Sequence, residues 1–417
     1  MRILFVADVS PAKVIGGAER VLREHTVRLA RRGHTVSVLT RGGAENLPPV
    51  ACVEGVSVYS LPDMPVNPIA VLFSSLWHSS RKFNGIAREI KPDLINFHQP
   101  VTALGVLLSP KSWNIPRIYT FHSPSFLEYE IRTQVGRLSW SRRLQVRLGV
   151  LLRRVAEYIC LKSSNKVIVL SQFSRKLLRK YHRIPEGKIA VIPGGVDTRR
   201  FTPPPDRNSI RQALRIPDGL TFLFTVRNLV PRMGLENLLL AVRKLRAVRN
   251  DVYLVIGGEG VLEVELKGLA RKLGLDHMVR FEGYIPDEDL PMYFQGADYF
   301  VLPTRSLEGF GLVAVEALAC GTPVLGTPVG AIPEVLSKLD PSLLARGNGT
   351  EEIAELLITH TSSERSRERD ELRCRCREFA VREYDWERAV DRLEPLLERL
   401  SSRSKRYESK TRSRKCF

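Results

Sequence analysis

Long apolar runs are what this chain of 417 residues has least of. Its longest, Ile69–Trp77 and Val101–Leu108, fall far short of the roughly 18 residues that cross a bilayer. The start, Met1 to Asp8, holds only a short apolar stretch and reads as a first strand, not a signal peptide. Cysteine is sparse as well. Six are scattered along the chain, and Cys374 and Cys376 sit too close together for an ordinary metal pair, with no second pair to face them. A disulfide framework and a zinc site are therefore not expected, which suits a reducing compartment. Cys416 is not fourth from the end, so the terminus is no prenylation box. Glycine and proline together number 55, too few for a collagen-like or low-complexity chain. These absences point to a cytoplasmic protein that is soluble or peripheral on the inner face of the cell membrane.

What the chain has in quantity is positive charge, and it is uneven. Residues 1–200 carry 31 basic and 13 acidic side chains, against 26 and 31 in residues 201–400. The last 17 residues carry 7 and 1. A basic half can meet nucleic acid, anionic lipid or phosphorylated substrates. The basic residues lack interleaved aromatics and any nucleic-acid motif, so nucleic acid is not expected as a partner. Hydrophobic residues make up 43% of the chain, enough for sizeable cores.

Short apolar runs alternate with amphipathic stretches. Strands are predicted at Arg2–Val6, His34–Thr40, Val56–Tyr59, Leu94–Phe97, Arg117–Phe121, Val167–Leu170 and Ile189–Ile192, with a helix over Ala18–Arg32. The rhythm breaks at Pro193–Asp197 and the stiff segment Phe201–Pro205, then restarts. Further strands are predicted at Phe222–Val226, Val252–Gly257, Val279–Phe281, Tyr299–Leu302 and Pro323–Leu325. Helices are predicted at Gly234–Arg246, Val261–Leu273, Phe310–Ala319 and Ile332–Ser337. Continuous apolar strands separated by helices indicate parallel sheets covered on both faces. The α/β fold class expected is two doubly wound Rossmann-like domains facing a cleft, with ligands beyond the carboxyl ends of the strands. The boundaries follow: 1–196, 197–363, helices over 364–400 packing back toward the first domain, and a basic disordered tail over 401–417.

The sharpest segment is Glu308-Gly-Phe-Gly-Leu-Val-Ala-Val-Glu316, which follows a strand and opens a helix. The amides of Phe310, Gly311 and Leu312 then lie in a first turn, where unpaired N–H groups and the helix dipole favour phosphate. Eight residues of helix rise about 12 Å, roughly the reach from a sugar ring past a diphosphate to a ribose. Ionised carboxylates accept hydrogen bonds only, which suits paired hydroxyls at either end.

This segment resembles the Glu-x7-Glu motif of retaining glycosyltransferase family 4, which has the GT-B fold. Its surroundings are similar too: Gly283–Pro286, Gly296–Asp298, Leu302–Thr304, Ala317–Val324 and Gly330–Glu334. So are Gly16–Arg20, Ile192–Asp197 and Ile256–Gly260, in the family's order over about residues 1–400. The resemblance implies transfer of a sugar from a nucleotide-sugar donor to an acceptor with retention of configuration. The second domain would hold the donor and the first the acceptor. Glu308 would contact the donor sugar, Glu316 the ribose, and Gly17 would lie near the diphosphate. His122, ending a strand, matches a family histidine that contacts the sugar, which makes Glu308 and His122 the catalytic candidates. His98, ending the preceding strand, is a weaker candidate, and Ser171 reads as a helix cap.

One departure stands out. Where the family has Gly-Arg-Leu and then Lys-Gly, this chain reads Val226-Arg-Asn-Leu229 and Arg232-Met-Gly234. Asn228 and Met233 occupy the Arg and Lys positions, and Arg227 and Arg232 each stand one residue earlier. Either these arginines reach the diphosphate from altered positions, or the leaving group is poorly stabilised, or they are plain surface charges. Asp287-Glu-Asp289 opens a helix after Pro286, where acidic residues favour the dipole, and is not read as a metal site. The family resemblance likewise implies no metal or other cofactor.

Ser141–Leu161 is basic and amphipathic, with Leu144, Leu148, Leu151, Val155 and Ile159 on one stripe and Arg142, Arg143, Arg147, Arg153 and Arg154 off it. It reads either as a membrane-surface helix or as a helix packed on the first domain with its arginines in solvent. The expectation is a retaining hexosyltransferase of polysaccharide or glycolipid assembly. It would use a UDP-sugar, with a glycan or lipid-linked acceptor and contact with anionic membrane. The alternatives are a member that binds donor with little turnover, a nucleotide-sugar epimerase or hydrolase on this fold, and a non-enzymatic binder of anionic membrane or nucleic acid.

Overall fold

Strands buried on both faces must be apolar along their whole length. The first strand of the computed structural model shows this, with Ile3 to Ala7 wholly inaccessible. The structure describes residues 1–41, 50–62, 68–133, 139–362 and 366–413. It divides into two units, one of residues 1–193 and 389–417, the other of residues 194–388.

Unit 1 holds β1 (Arg2–Ala7), β2 (Thr35–Thr40), β3 (Val50–Val53), β4 (Val56–Ser60), β5 (Leu94–Phe97), β6 (Arg117–Phe121), β7 (Lys166–Val169) and β8 (Ile189–Val191). They form one sheet in the order β3-β4-β2-β1-β5-β6-β7-β8. All neighbours run parallel except β3 and β4, which form an antiparallel hairpin at one edge. That hairpin turns on Glu54 and Gly55, both with positive φ, as a two-residue turn matched to strand twist requires. Its first strand was not expected, because four half-buried residues carry too short a pattern to detect. The helices are α1 (Gly17–Arg31), α2 (Pro68–Glu89), α3 (Pro100–Leu107), α4 (Ser125–Thr133), α5 (Trp140–Ser163) and α6 (Gln172–His182). The two longest apolar runs thus lie in α2 and α3. No helix of the described residues is long and apolar enough to cross a membrane. Ser171 does cap α6, accepting from the Ser174 amide.

Unit 2 repeats the plan with five parallel strands: β9 (Thr221–Val226), β10 (Val252–Gly257), β11 (Val279–Gly283), β12 (Tyr299–Leu302) and β13 (Val324–Gly326). Their order, β11-β10-β9-β12-β13, reverses between β9 and β12. Such a reversal is where doubly wound sheets open a crevice at their carboxyl ends. The helices are α7 (Arg207–Ala213), α8 (Leu235–Arg246), α9 (Glu263–Lys272), α10 (Leu290–Gly296), α11 (Leu312–Ala319), α12 (Ile332–Leu339), α13 (Thr350–Thr361) and α14 (Ser366–Tyr384), and a last helix, α15 (Trp386–Ser413), starts here and passes into unit 1. The core between them is aromatic, with Phe294 packed edge-on to Phe224 and Phe300.

The C-terminal helices expected over 364–400 are α14 and α15. α14 packs within unit 2, where Arg377 donates to the carbonyls of Thr198, Phe201 and Ala319. From Ala389 the chain belongs to unit 1. There Val390, Leu393 and Leu397 are fully buried, and Arg32 bonds Asp391 and Glu394. Helix continues through Ser413, into the stretch expected to be a disordered tail; residues 414–417 lie outside the described residues.

Candidate active site

The loop from β12 to α11 carries Glu308. Helix α11 begins at Leu312, not Phe310, so Glu308 to Gly311 is non-helical and the span reckoned as continuous helix does not hold. Gly311 is the cap, with φ 85°, a backbone that only glycine adopts without strain. No side chain caps this end and no acid lies in its first turn. The first-turn amides are those of Leu312 and Val313, while that of Ala314 bonds the Gly311 carbonyl. The end is apolar and positively polarised, as an anion requires. Glu316 lies one turn further on and is buried. The Phe310 side chain is buried edge-on to Tyr384, and Leu312 is buried too. Both can meet a ligand only through their backbones.

Glu308 is held from several sides. Its carbonyl accepts from the Ala331 amide at 3.0 Å. Gly330 stands against it so closely that a Cβ there would overlap the Glu308 carbonyl oxygen. Its Oε2 accepts from Thr304 Oγ1 at 3.2 Å and forms a buried ion pair with Arg227. Among the described residues no hydrogen bond falls on Oε1, which leaves that oxygen able to accept. Arg227 in turn donates to Thr304 Oγ1 at 3.4 Å, and its Nε and Nη2 point at Met233 Sδ, 3.3 and 2.9 Å away. Met233, at the family's lysine position, is therefore the buried platform under Arg227. Arg227 is only 8% exposed, so it is not a plain surface charge. Arg232 is half-buried and donates to the Leu307 carbonyl at 3.1 Å. Asn228 is exposed. The grip of Arg227 on Glu308 could not be read from sequence, because the two are 81 residues apart.

Unit 1 presents a different cluster where β1, β5 and β6 end. Gly17 is exposed at the start of α1, and the Gly16 cap has no side-chain hydrogen bond. Asp8 accepts from the amides of Val101 and Thr102 and from Thr102 Oγ1, which fastens the start of α3. His122 Nε2 lies 3.2 Å from His98 Nδ1. His25, on the buried face of α1, packs its ring edge-on to His98. Burial pushes His122 down to about 4. Burial and the neighbouring His122 push His25 down to about 3 and His98 well below the ordinary histidine value. At neutral pH all three are uncharged, so His122 can orient a hydroxyl but brings no positive charge. Sequence reasoning singled out His122 and His98 but not His25.

Helix α5 shows its apolar stripe to solvent. Trp140, Leu144, Leu148, Leu151, Leu152, Val155 and Ile159 are all exposed, Trp140 to 79%, while Val146, Ala156, Cys160 and Leu161 are buried. The packed-helix reading of that stripe is thereby corrected: the face that meets the core is the opposite one. Arg142, Arg143 and Arg147 are exposed beside the stripe, and Arg153 stacks on Tyr129 at 3.7 Å. At Asp287-Glu-Asp289, Asp287 pairs with Arg200 at 2.7 Å and Asp289 precedes α10. Among the described residues no group of three or more His, Cys, Asp or Glu is arranged to hold a metal ion.

Comparison with known proteins bears on these clusters. The sequence model of Glycosyltransferase Family 4 matches residues 15–200, and that of Glycosyl transferases group 1 matches residues 206–382. A D-inositol 3-phosphate glycosyltransferase of Saccharomonospora viridis is 30% identical over 401 residues, covering 91% of this chain and 88% of its own. The chain belongs to the group 1 glycosyltransferases. A second relative, from Corynebacterium glutamicum, is 32% identical over 207 residues, 47% of this chain and 54% of its own. It is described as a GDP-mannose-dependent monoacylated alpha-(1-6)-phosphatidylinositol monomannoside mannosyltransferase. In architecture this glycosyltransferase is similar to sucrose-phosphate synthase from Thermosynechococcus elongatus. That match has a TM-score of 0.80 at 22% identity and covers 96% of this chain and all of the other. The fold is GT-B, as the resemblance implied.

Proposed function

We propose that this glycosyltransferase is a retaining hexosyltransferase that moves a sugar from a UDP-sugar to a glycan or lipid-linked acceptor, without a metal or other cofactor. The observation that carries the reading is the pair of buried acids, Glu308 and Glu316, flanking an uncapped helix start with no competing acid in its first turn. Amides of Leu312 and Val313 receive the diphosphate. Glu308, oriented by Arg227 and Thr304, accepts from donor-sugar hydroxyls through Oε1, and Glu316 from the ribose. His122, uncharged, orients the sugar, and Gly17 lies near the diphosphate. Developing charge on the leaving diphosphate is met by the helix start and by Arg232, since Arg227 is engaged with Glu308. Asn228, exposed and uncharged, contributes at most a hydrogen bond.

The test is binding of UDP-, GDP- and ADP-sugars, then turnover with glycan and lipid acceptors in the presence of a chelator. Glu316→Ala should weaken donor binding by on the order of 10- to 100-fold, the worth of hydrogen bonds to a charged group. Preference for a GDP-sugar would overturn the assignment of the base, and an inverted anomeric signal in the product the retaining mechanism. Donor binding without turnover would favour the second reading, a weakly active member, which the engagement of Arg227 with Glu308 motivates.

The exposed stripe of α5, with arginines beside it, supports peripheral contact with anionic lipid. Leu148→Glu with Leu151→Glu should abolish sedimentation with phosphatidylglycerol vesicles. Sedimentation indifferent to lipid charge and to salt would rule this contact out.

A further inference from the structure

At the opposite end of β12 from Glu308, four arginines gather on one aspartate. Asp298 immediately precedes the strand and is nearly inaccessible. Its Oδ1 accepts from Arg207 Nη2 at 2.8 Å and from Arg369 Nη1 at 2.9 Å. Its Oδ2 accepts from the Phe222 amide at 2.7 Å and pairs with Arg211. A carboxylate has about four lone-pair sites, so this one is full. The fourth arginine, Arg373, lies 4.0 Å from Oδ1 and donates instead to the Ala297 carbonyl at 2.7 Å.

Four guanidinium groups against one carboxylate leave a surplus of three positive charges. Like charges this close repel strongly where water is partly excluded. Burial first, then repulsion from Arg207, pushes Arg373 down to about 10. Burial alone would raise the Asp298 carboxyl, but Arg207 and Arg211 hold it well below the usual carboxylate range. Donor groups are in excess as well as charge. Among the described residues, the Nε atoms of Arg207, Arg369 and Arg373 are buried with no acceptor. A buried unpaired donor costs about 1–3 kcal/mol, more beside other cations. One arginine would neutralise Asp298; the others also hold the carbonyls of Gly296, Leu220 and Ala297, but these neutral acceptors leave the surplus charge uncompensated. The side chains keep between 14% and 27% of their surface, so a small ion can reach them.

We propose that the arginine cluster around Asp298 is a binding site for a phosphate group, free or carried by a phosphorylated metabolite. Phosphate supplies the acceptors and negative charge that the cluster lacks, and planar guanidinium forks match its geometry. The cluster joins α7, the start of β12 and α14, so an occupied site braces three elements of unit 2. It lies at the amino ends of β9 and β12, whereas the uncapped helix start lies beyond the carboxyl end of β12. The two are therefore separate, and this site does not depend on the proposed function.

The experiment titrates the full chain with inorganic phosphate at constant ionic strength, chloride making up the balance, and reads the thermal unfolding midpoint. Phosphate should raise the midpoint of wild type and of Arg232→Gln, and raise that of the double variant Arg369→Gln, Arg373→Gln markedly less. A response in the double variant equal to that of wild type overturns the proposal. Because the double variant removes buried contacts, a second measurement uses wild type alone. Phenylglyoxal labels accessible arginines, and mass spectrometry of the peptides bearing Arg207, Arg211, Arg369 and Arg373 reads protection. Protection of these four by inorganic phosphate or by glycerol phosphate supports the site, and a markedly lower concentration for the ester identifies a phosphorylated metabolite as its ligand. Equal labelling with and without both compounds overturns it.

Discussion

Two clusters, one in each unit, keep polar groups inside by opposite means. In unit 1, His25, His98 and His122 lie together and remain neutral because burial disfavours their charged forms. In unit 2, Arg227 and Glu308 are as deeply placed but stay together as an ion pair with Thr304 between their loops. Desolvation without a counter-charge empties a site of charge, whereas desolvation with one fixes its direction. A region that must orient hydroxyls is served by either. A region that must receive a diphosphate needs the second, with spare positive polarisation from a helix start.

The largest break in this comparison is expected from Arg227→Met, which leaves the Glu308 carboxylate buried without its partner. Removing one member of a buried pair costs about 3–5 kcal/mol, so urea unfolding at pH 7 should lose that much stability. A loss below about 1 kcal/mol would show that Glu308 is solvated and the pair marginal.

The pH dependence comes next, and its sign follows from the histidines. Each is neutral when folded and regains an ordinary value near 6.5 when unfolded, so the unfolded chain binds more protons as pH falls. Stability is full above pH 6.5 and declines between there and pH 4, by at most about 2 kcal/mol per imidazole at pH 5. In His25→Phe the difference in unfolding free energy between pH 7 and pH 5 should shrink by up to that amount. An unchanged difference would mean that burial does not hold His25 neutral.

The smallest effect sharpens the contrast. Thr304→Val removes a neutral hydroxyl from Glu308 Oε2 and a long contact from Arg227 while leaving the ion pair in place, and should cost about 1 kcal/mol. A cost equal to that of Arg227→Met would place the orienting work on the hydroxyl and not on the charge.

Much of this fold was legible because parallel strands buried on both faces are unbroken apolar runs. Leu94–Phe97, Arg117–Phe121, Val252–Gly257 and Tyr299–Leu302 have the bounds that their composition predicts. The hairpin strand Val50–Val53 was not, since half-buried edge residues carry little pattern. α2 and α3 were seen only as apolar runs, because nothing in a short apolar run distinguishes strand from buried helix. At the site, the spacing of Glu308 and Glu316 was readable, but the start of the helix between them was displaced by the left-handed Gly311. The grip of Arg227 on Glu308 depends on two loops meeting after the sheet has formed, and no local signal announces such a meeting.

The chain leaves unit 1 after Pro193 and rejoins it at Ala389. At the crossing the two passes are stitched together, with the Val196 amide on the Tyr384 carbonyl and the Trp386 amide on that of Val196. Unit 2 is in effect an insertion whose entry and exit are clasped, so it carries both of its own ends. Its host is not so favoured. Cut after residue 193, the first unit would lack Val390, Leu393 and Leu397 and present bare apolar surface where they sit. Dividing the chain at that point would thus strand the closing helix on the wrong fragment, leaving both its apolar face and the surface it covers bare.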